Sequence, residues 1–214
     1  MKKIVCPTVL AYDAHDFQVQ INRVKSFAER VQVDLTDGVF TRSPTVAIEQ
    51  VWAPDAVMVD LHLMFQKPQD YIDEAIKLNP NMIIIHAESE GNFLKLADKI
   101  HKQGIKVGVA LLPKTSTHLI KPSLPEIDHV LIFSGDLGKF GGIADIHLLS
   151  KVKQLKEWKE TLEFGWDGGI NDTNIKQLLD GGIDVFNVGG FIQNSPEPKL
   201  NYDKLKTIIS INMI

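Results

Sequence analysis

The chain of 214 residues is 44% hydrophobic and 23% charged, which is typical of a soluble globular protein and suits one large domain over residues 1–214. Its net charge of −4 comes from acidic and basic residues mixed along the chain, without the basic stripe that nucleic-acid binding needs. No run approaches the ~18 apolar residues of a membrane span, and the single cysteine, Cys6, excludes an intramolecular disulfide. We therefore expect a cytoplasmic protein that has neither nucleic acid nor a membrane as a partner.

Eight short apolar runs alternate with longer stretches of helical period, a pattern that indicates repeated βαβ units and a parallel sheet. The first run, interrupted by Pro7 and ended by Asp13, is interpreted as a strand rather than a secretory signal. The predicted strands begin at Lys3, Arg30, Ala56, Asn81, Lys106, His129, Leu162 and Asp184. The predicted helices span residues 14–28, 45–52, 68–77, 90–103, 115–121, 144–160, 171–180 and 200–211.

Eight strand and helix pairs in a chain of this length predict a small (β/α)8 TIM barrel. An open doubly wound sheet is the alternative, but it would need a glycine-rich turn after the first strand, where the chain reads TVLAYDAHD. Active sites of (β/α)8 barrels lie at the carboxyl ends of the strands. The polar residues predicted at those ends are Thr8, Gln32, Asp34, His62, His86, Ser134 and Asp167.

The segment VQVDLTDG, from Val31 to Gly38, places an amide and a carboxylate on one face of the second strand. Gln32 and Asp34 are two residues apart and therefore share a face. His62 has the same position on the third strand. Asp167 ends the seventh strand, which stands nearly opposite the second in a ring of eight. The sequence thus predicts two carboxylates facing each other over a central pocket.

Two opposed carboxylates suit the removal of a proton from one face of a carbon and its return to the other, as an epimerase acting next to a carbonyl requires. A cation between them would stabilise the developing enediolate, with His62 as a nitrogen ligand. The alternative is that Asp34 and Asp167 only cap turns. Their occurrence together with a histidine at barrel strand ends favours the site.

Three glycine pairs follow the last three strands, and backbone amides at these loops commonly hold phosphate in such barrels. Turns need glycines as well, so one pair alone is weak evidence. Three pairs at neighbouring strand ends predict a phosphorylated substrate. The pairs are Gly141 and Gly142, Gly168 and Gly169, and Gly189 and Gly190.

Motifs along nearly the whole chain resemble those of the ribulose-phosphate 3-epimerase family. CPTVL resembles the family's A-P-S-I-L, VDLTDG its V-D-V-M-D-G, and DLHLMFQKPQDYI its D-V-H-L-M block. HAES resembles H-A-E, FGG the F-G-G of the phosphate loop, and WDGGIN the motif V-D-G-G-I-N. The resemblance implies a ribulose-phosphate-binding (β/α)8 barrel in the cytoplasm, and it suggests a homo-oligomer.

The resemblance also implies the interconversion of ribulose 5-phosphate and xylulose 5-phosphate by two aspartates around a divalent metal. Carried over by position, Asp34 and Asp167 are the acid–base pair and also metal ligands, and His62 is a further ligand. Thr8 keeps the hydroxyl of a family serine. The resemblance leaves open whether the substrate is a pentose or a hexose phosphate.

Gln32 departs from the family pattern, because the family has H-x-D where this chain has Gln32-Val33-Asp34. An amide oxygen can still be the fourth ligand, but it binds Zn²⁺ or Fe²⁺ less well than imidazole and favours harder ions such as Mn²⁺ or Mg²⁺. We therefore expect weaker metal binding or a changed metal preference. Four further departures are expected to change the lining of the same pocket: Thr36, Leu112, Phe133 and Gly190.

Two other functions compete with the epimerase. A sugar-phosphate-binding barrel with weakened or lost turnover would need only the glycine pairs, although two retained buried carboxylates argue against it. Decarboxylases of the orotidine monophosphate or keto-gulonate phosphate type use Asp-x-Lys-x-x-Asp on strand 3, and the segment from Asp60 to Phe65 lacks the lysine and the second aspartate.

Overall fold

The computed structural model describes residues 2–139 and 141–212 and has eight parallel strands that close into a barrel in chain order. The last strand pairs with the first, so the predicted (β/α)8 barrel is confirmed. Phe140 of the FGG motif lies outside the described residues. The strands are β1 (Ile4–Val9), β2 (Arg30–Thr36), β3 (Met58–Met64), β4 (Met82–His86), β5 (Lys106–Leu111), β6 (His129–Phe133), β7 (Glu163–Asp167) and β8 (Val185–Val188).

Helices cover the outside of the barrel, and side chains cap two of them as the sequence favours. Asp13 accepts a hydrogen bond from the backbone N–H of Asp16, and Asn92 accepts one from that of Lys95. No helix of the described ranges is both long and apolar enough to cross a bilayer. The helices are α1 (Ala14–Val24), α2 (Ile72–Lys77), α3 (Phe93–His101), α4 (Leu149–Trp158), α5 (Ile175–Asp180), α6 (Gly190–Gln193) and α7 (Pro198–Ile211).

Two of the predicted helices are wrong. Region 45–52 contains one 3₁₀ turn, Ile48–Gln50, because the backbone is extended on both sides of it, with ψ 144° at Ala47 and 143° at Val51. Region 115–121 contains a 3₁₀ turn, Thr117–Leu119, and a second 3₁₀ segment, Lys121–Glu126, follows it. Pro122 and Pro125 lie in that second turn and cannot donate the hydrogen bonds of an α-helix.

The interior of the barrel is divided into an apolar and a polar sector. Met82, Ile84, Ala110 and Leu131 form a small apolar cluster of their own inside β4 to β6. The outward residues of the strands belong to the larger core beneath the helices. Polar side chains from β1, β2, β3, β7 and β8 share the remaining interior, and this is where the candidate site lies.

An ionic cluster closes the barrel at the amino ends of the strands. Arg30 is 2% exposed, and its Nε lies 2.5 Å from Oδ2 of Asp60. Its two terminal nitrogens each donate to one oxygen of Glu163 at 3.0 Å. Nδ1 of His129 lies 2.7 Å from Oε2 of the same carboxylate. Asp60 therefore serves this cluster, while His62, two residues further along β3, belongs to the opposite end.

Candidate active site

The alternation on β2 sends polar and apolar side chains to opposite sides of the barrel wall. Val31 and Val33 belong to the outer core, whereas Gln32 and Asp34 are buried in the interior. Nε2 of Gln32 donates to Oδ1 of Asp34 at 2.8 Å and to Oδ2 of Asp167, on β7, at 2.6 Å. These contacts bring the two predicted carboxylates together through the amide of Gln32.

His62 joins this group from the neighbouring strand, because Asp34 and His62 are register partners in the parallel pair of β2 and β3. Its Nδ1 lies 2.9 Å from Oδ1 of Asp34. One ligand atom from each of Asp34, His62 and Asp167 lies within 4.8 Å of the other two. This donor set of two carboxylates and one imidazole could hold a divalent metal ion.

A chain of hydrogen bonds behind His62 sets the role of its Nε2. Nε2 of His62 lies 2.9 Å from Nε2 of His86, and Nδ1 of His86 lies 3.2 Å from Oε2 of Glu88. The carboxylate of Glu88 can only accept, so Nδ1 of His86 donates to it and Nε2 of neutral His86 accepts. Nε2 of His62 is then the donor in the contact between the two rings.

Burial controls the protonation of two of these groups. Loss of hydration, and then the charge of Asp34, raises the pKa of Asp167 to about 7. Burial likewise lowers the pKa of His86 to about 4, against the opposing effect of Glu88, so the ring is neutral at pH 7. The site therefore contains a carboxyl group that gains and loses a proton near neutral pH.

One pocket at the carboxyl ends of the strands gathers most of the predicted site residues. Gln32 and His62 lie beneath it and are fully buried. Gly142 packs against Gly135, where a Cβ atom would meet the Cα of Gly135 at 3.2 Å. The predicted residues that line the pocket are Thr8, Asp34, Asp167, Gly141, Gly168, Gly169, Gly189 and Gly190.

The glycine pair after β7 allows a close approach of two backbone segments. Gly168 has φ +112°, and a Cβ atom there would lie 2.2 Å from the backbone nitrogen of Gly135. A Cβ atom on Gly169 would lie 2.3 Å from the nitrogen of Ala144. The absence of side chains at this pair therefore lets the loop after β7 pack against the loop after β6. The two glycines are needed for this packing, whether or not they also bind phosphate.

Two of the four residues expected to change the pocket do not reach it. Phe133 and Gly190 line the pocket. The hydroxyl of Thr36 instead donates to the carbonyl of Ser43 in the loop after β2. The backbone N–H of Leu112 donates to Oε1 of Glu88 at 3.0 Å. The expectation that Thr36 and Leu112 line the pocket is wrong, because their contacts hold loops outside it.

Asn187 on β8 was not predicted, although it lines the pocket and is 2% exposed. Its neighbours Phe186 and Val188 belong to the outer core, so the side chain of Asn187 lies on the inner face. The same alternation that singles out Gln32 and Asp34 would have identified it.

A (β/α)8 barrel with two carboxylates at the carboxyl ends of its strands is an arrangement that can carry out proton transfer. The chain belongs to the ribulose-phosphate 3 epimerase family, whose sequence pattern matches residues 4–192. The ribulose-phosphate 3-epimerase of Helicobacter pylori strain J99 is 32% identical over 212 residues, which cover 95% of this chain and 97% of that protein. The Bacillus subtilis protein of the same name is 28% identical over 205 residues, with 91% and 94% covered.

The fold is also shared with more distant barrels. The 3-keto-L-gulonate-6-phosphate decarboxylase of Vibrio cholerae superimposes with a TM-score of 0.74 over 99% of both chains. Its sequence is 14% identical, so this likeness concerns the fold alone.

Proposed function

We propose that this protein is a ribulose-phosphate 3-epimerase, which interconverts ribulose 5-phosphate and xylulose 5-phosphate or inverts the equivalent carbon of a related ketose phosphate. The observation that carries the proposal is the meeting of Asp34 and Asp167 inside the barrel, where both accept hydrogen bonds from Gln32. Inversion at C3 needs a base on one face of the carbon and an acid on the other. Membership of the family and the names of its curated relatives support this substrate.

The protonation of the carboxylate pair suits the two proton transfers. Burial and then the charge of Asp34 raise the pKa of Asp167 to about 7, so this carboxyl group can give up or take a proton near neutral pH. An ionised carboxylate removes the C3 proton and leaves an enediolate, and the protonated partner then delivers a proton to the opposite face. The two aspartates exchange their protonation states in each turnover, so the reverse reaction uses the same groups.

The phosphate of the substrate would bind at the glycine-lined end of the pocket. Gly168, Gly169, Gly189 and Gly190 line this end. The first N–H groups of α6 have no partner within that helix, so they can donate to phosphate oxygens. The hydroxyl of Thr8 would bind the sugar nearer the carboxylates. This arrangement would direct C3 towards Asp34 and Asp167.

The residues present fit a divalent metal ion. Nδ1 of His62 lies 2.9 Å from Oδ1 of Asp34, and two carboxylates with one imidazole are donors that suit a divalent cation. Asp34, His62 and Asp167 would hold the ion, and when bound it would supply positive charge for the enediolate oxygens.

Gln32 is the weakest member of the proposed ligand set. Its Nε2 faces the carboxylates, and its Oε1 is buried without a hydrogen-bond partner in the described part of the chain. It could be a ligand only after its amide turned to present Oε1. A set of carboxylate and amide oxygens with one imidazole favours Mn²⁺ or Mg²⁺ over Zn²⁺ or Fe²⁺.

Proton NMR of ribulose 5-phosphate in D₂O tests this function. Metal-stripped protein is measured first, and then again after Zn²⁺, Fe²⁺, Mn²⁺ or Mg²⁺ is added back singly. We expect xylulose 5-phosphate with deuterium at C3, with the fastest conversion in Mn²⁺ or Mg²⁺. An Asp34→Asn variant with the same ions is the control. Absence of conversion and of exchange with every ion would exclude this substrate.

A sugar-phosphate-binding protein without turnover is the second candidate, and the position of Gln32 favours it. The amide donates to both carboxylates and so occupies the space between them. In this case calorimetry would detect ribulose 5-phosphate binding, while C3 would retain its proton in D₂O with every ion.

A further inference from the structure

Asn187 places an amide group inside the barrel beside the proposed reaction centre. Its register partners are Asp167 on β7 and Cys6 on β1, so it lies level with the carboxylate of the seventh strand. The side chain is 2% exposed and lines the same pocket as Asp34 and Asp167. The polar group is thus held at the base of the pocket by the backbone of β8.

The amide oxygen of Asn187 lacks a hydrogen-bond donor. Oδ1 is buried and has no partner among residues 2–139 and 141–212. Buried side-chain oxygens in folded proteins are nearly always paired, because an unpaired one loses its hydration without compensation. A group that enters the pocket with an O–H donor would satisfy it once the amide turned Oδ1 towards the pocket.

If the substrate is the ketose phosphate of the proposed function, the position of Asn187 along the pocket indicates which substrate hydroxyl would be the donor. Asn187 precedes the Gly189–Gly190 pair by two residues and is level with Asp167. A ketose phosphate with C3 at the carboxylates and its C5 phosphate at the glycines presents the C4 hydroxyl between them. We propose that Asn187 is a specificity-determining residue whose Oδ1 accepts a hydrogen bond from the hydroxyl between the reacting carbon and the phosphate-bearing carbon.

The test is a cycle of four dissociation constants measured by calorimetry. The ligands are ribulose 5-phosphate and its 4-deoxy analogue, and the proteins are the wild type and Asn187→Leu, which keeps the side-chain size. We expect the wild type to bind ribulose 5-phosphate about 10- to 100-fold more tightly than the analogue. Asn187→Leu should reduce that preference to within about 3-fold. Asn212→Leu, at an exposed position after α7, should leave it unchanged.

Equal binding of both ligands by the wild type would overturn the proposal, and so would an unchanged preference in Asn187→Leu or no binding at all. If Asn187→Leu fails to fold, as thermal unfolding would reveal, Asn187→Val completes the same cycle. The D₂O experiment separates this inference from the proposed function. A preference that depends on Asn187 without exchange at C3 would support the hydroxyl contact and reject the epimerase.

Discussion

Gln32 connects the two carboxylates of the site by hydrogen bonds. Its amide nitrogen donates to Asp34 and Asp167 at 2.8 and 2.6 Å, and so partly offsets the repulsion between them. An imidazole at this position could offer a lone pair to a metal ion, whereas the amide nitrogen of Gln32 cannot. We therefore expect the identity of this side chain to change the affinity of the site for a metal ion.

We expect Gln32→His to raise the affinity for Zn²⁺ by about 10- to 100-fold, because imidazole is the better ligand for this ion. Competition with a chromophoric chelator measures the affinity. Gln32→Leu is the matched control, since it removes the amide without adding a ligand, and it should not gain affinity. An equal Zn²⁺ affinity in Gln32→His and the wild type would contradict a metal site at these residues.

Single residues show how far the sequence could predict this pocket. Strand alternation places Gln32, Asp34 and His62 correctly, because a period of two fixes the face of each side chain. It cannot predict which end of the Gln32 amide faces the carboxylates, or that His62 bonds to His86, since both depend on contacts between strands that are distant in sequence. Asn187 was predictable by the same alternation and was missed.

Among the structural elements, the loops after β6 and β7 show the closest backbone approach near the site. Gly168 lies against Gly135 where an added Cβ atom would be 2.2 Å from a backbone nitrogen. Gly104, which follows α3, also has a positive φ, +74°, but an added Cβ atom would meet nothing within 4 Å. Substitution of these two glycines by alanine therefore distinguishes the effect of close packing on stability from the effect of an unfavourable φ.

Gly168→Ala should destabilise the protein by roughly 3 kcal/mol or more, because a clash with backbone adds to the unfavourable φ. Gly104→Ala should cost about 1 kcal/mol, since it brings the unfavourable φ alone. Urea denaturation followed by circular dichroism measures both values. Similar losses for the two variants would show that the two loops separate easily.

The outer elements were harder to predict than the strands. The backbone is extended at Ala47 and Val51, which confines region 45–52 to one 3₁₀ turn, and no local pattern in the sequence indicates this. Pro122 and Pro125 were local signals against an α-helix in the region after β5. The strands were identified because their short apolar runs are continuous and bounded by turn residues.

At the scale of the whole molecule, the ionic cluster beneath the site links strands on opposite sides of the barrel. Arg30 on β2 bonds to Asp60 on β3 and to Glu163 on β7. Burial alone would raise the pKa of Glu163, but hydrogen bonds from His129 and Arg30 outweigh it and hold that pKa below its usual range. Burial raises the pKa of Asp60, so the two carboxylates shift in opposite directions.

A lowered pKa means that Glu163 stabilises the folded state at pH values above its unfolded pKa of ~4.3, and that this stabilisation falls as the pH drops further. We expect Glu163→Gln to lower the free energy of unfolding by roughly 3 kcal/mol at pH 7. The deficit should shrink between pH 5 and pH 3, as urea denaturation at each pH would show.

Glu157→Gln is the control, because this exposed residue should change stability by less than about 0.5 kcal/mol. A deficit for Glu163→Gln that stayed constant down to pH 3 would contradict the role given to the Glu163 charge.

The most direct test of two opposed proton-transfer groups is solvent exchange at C3 in single variants. Ribulose 5-phosphate and xylulose 5-phosphate are incubated separately in D₂O with Asp34→Asn or Asp167→Asn, and metal content is measured for each protein. We expect each variant to lose conversion by about 10²- to 10⁴-fold. Each should still exchange the C3 proton of one sugar, and the two variants should exchange different sugars. Conversion by either variant within about 10-fold of the wild-type rate would contradict the two-carboxylate account.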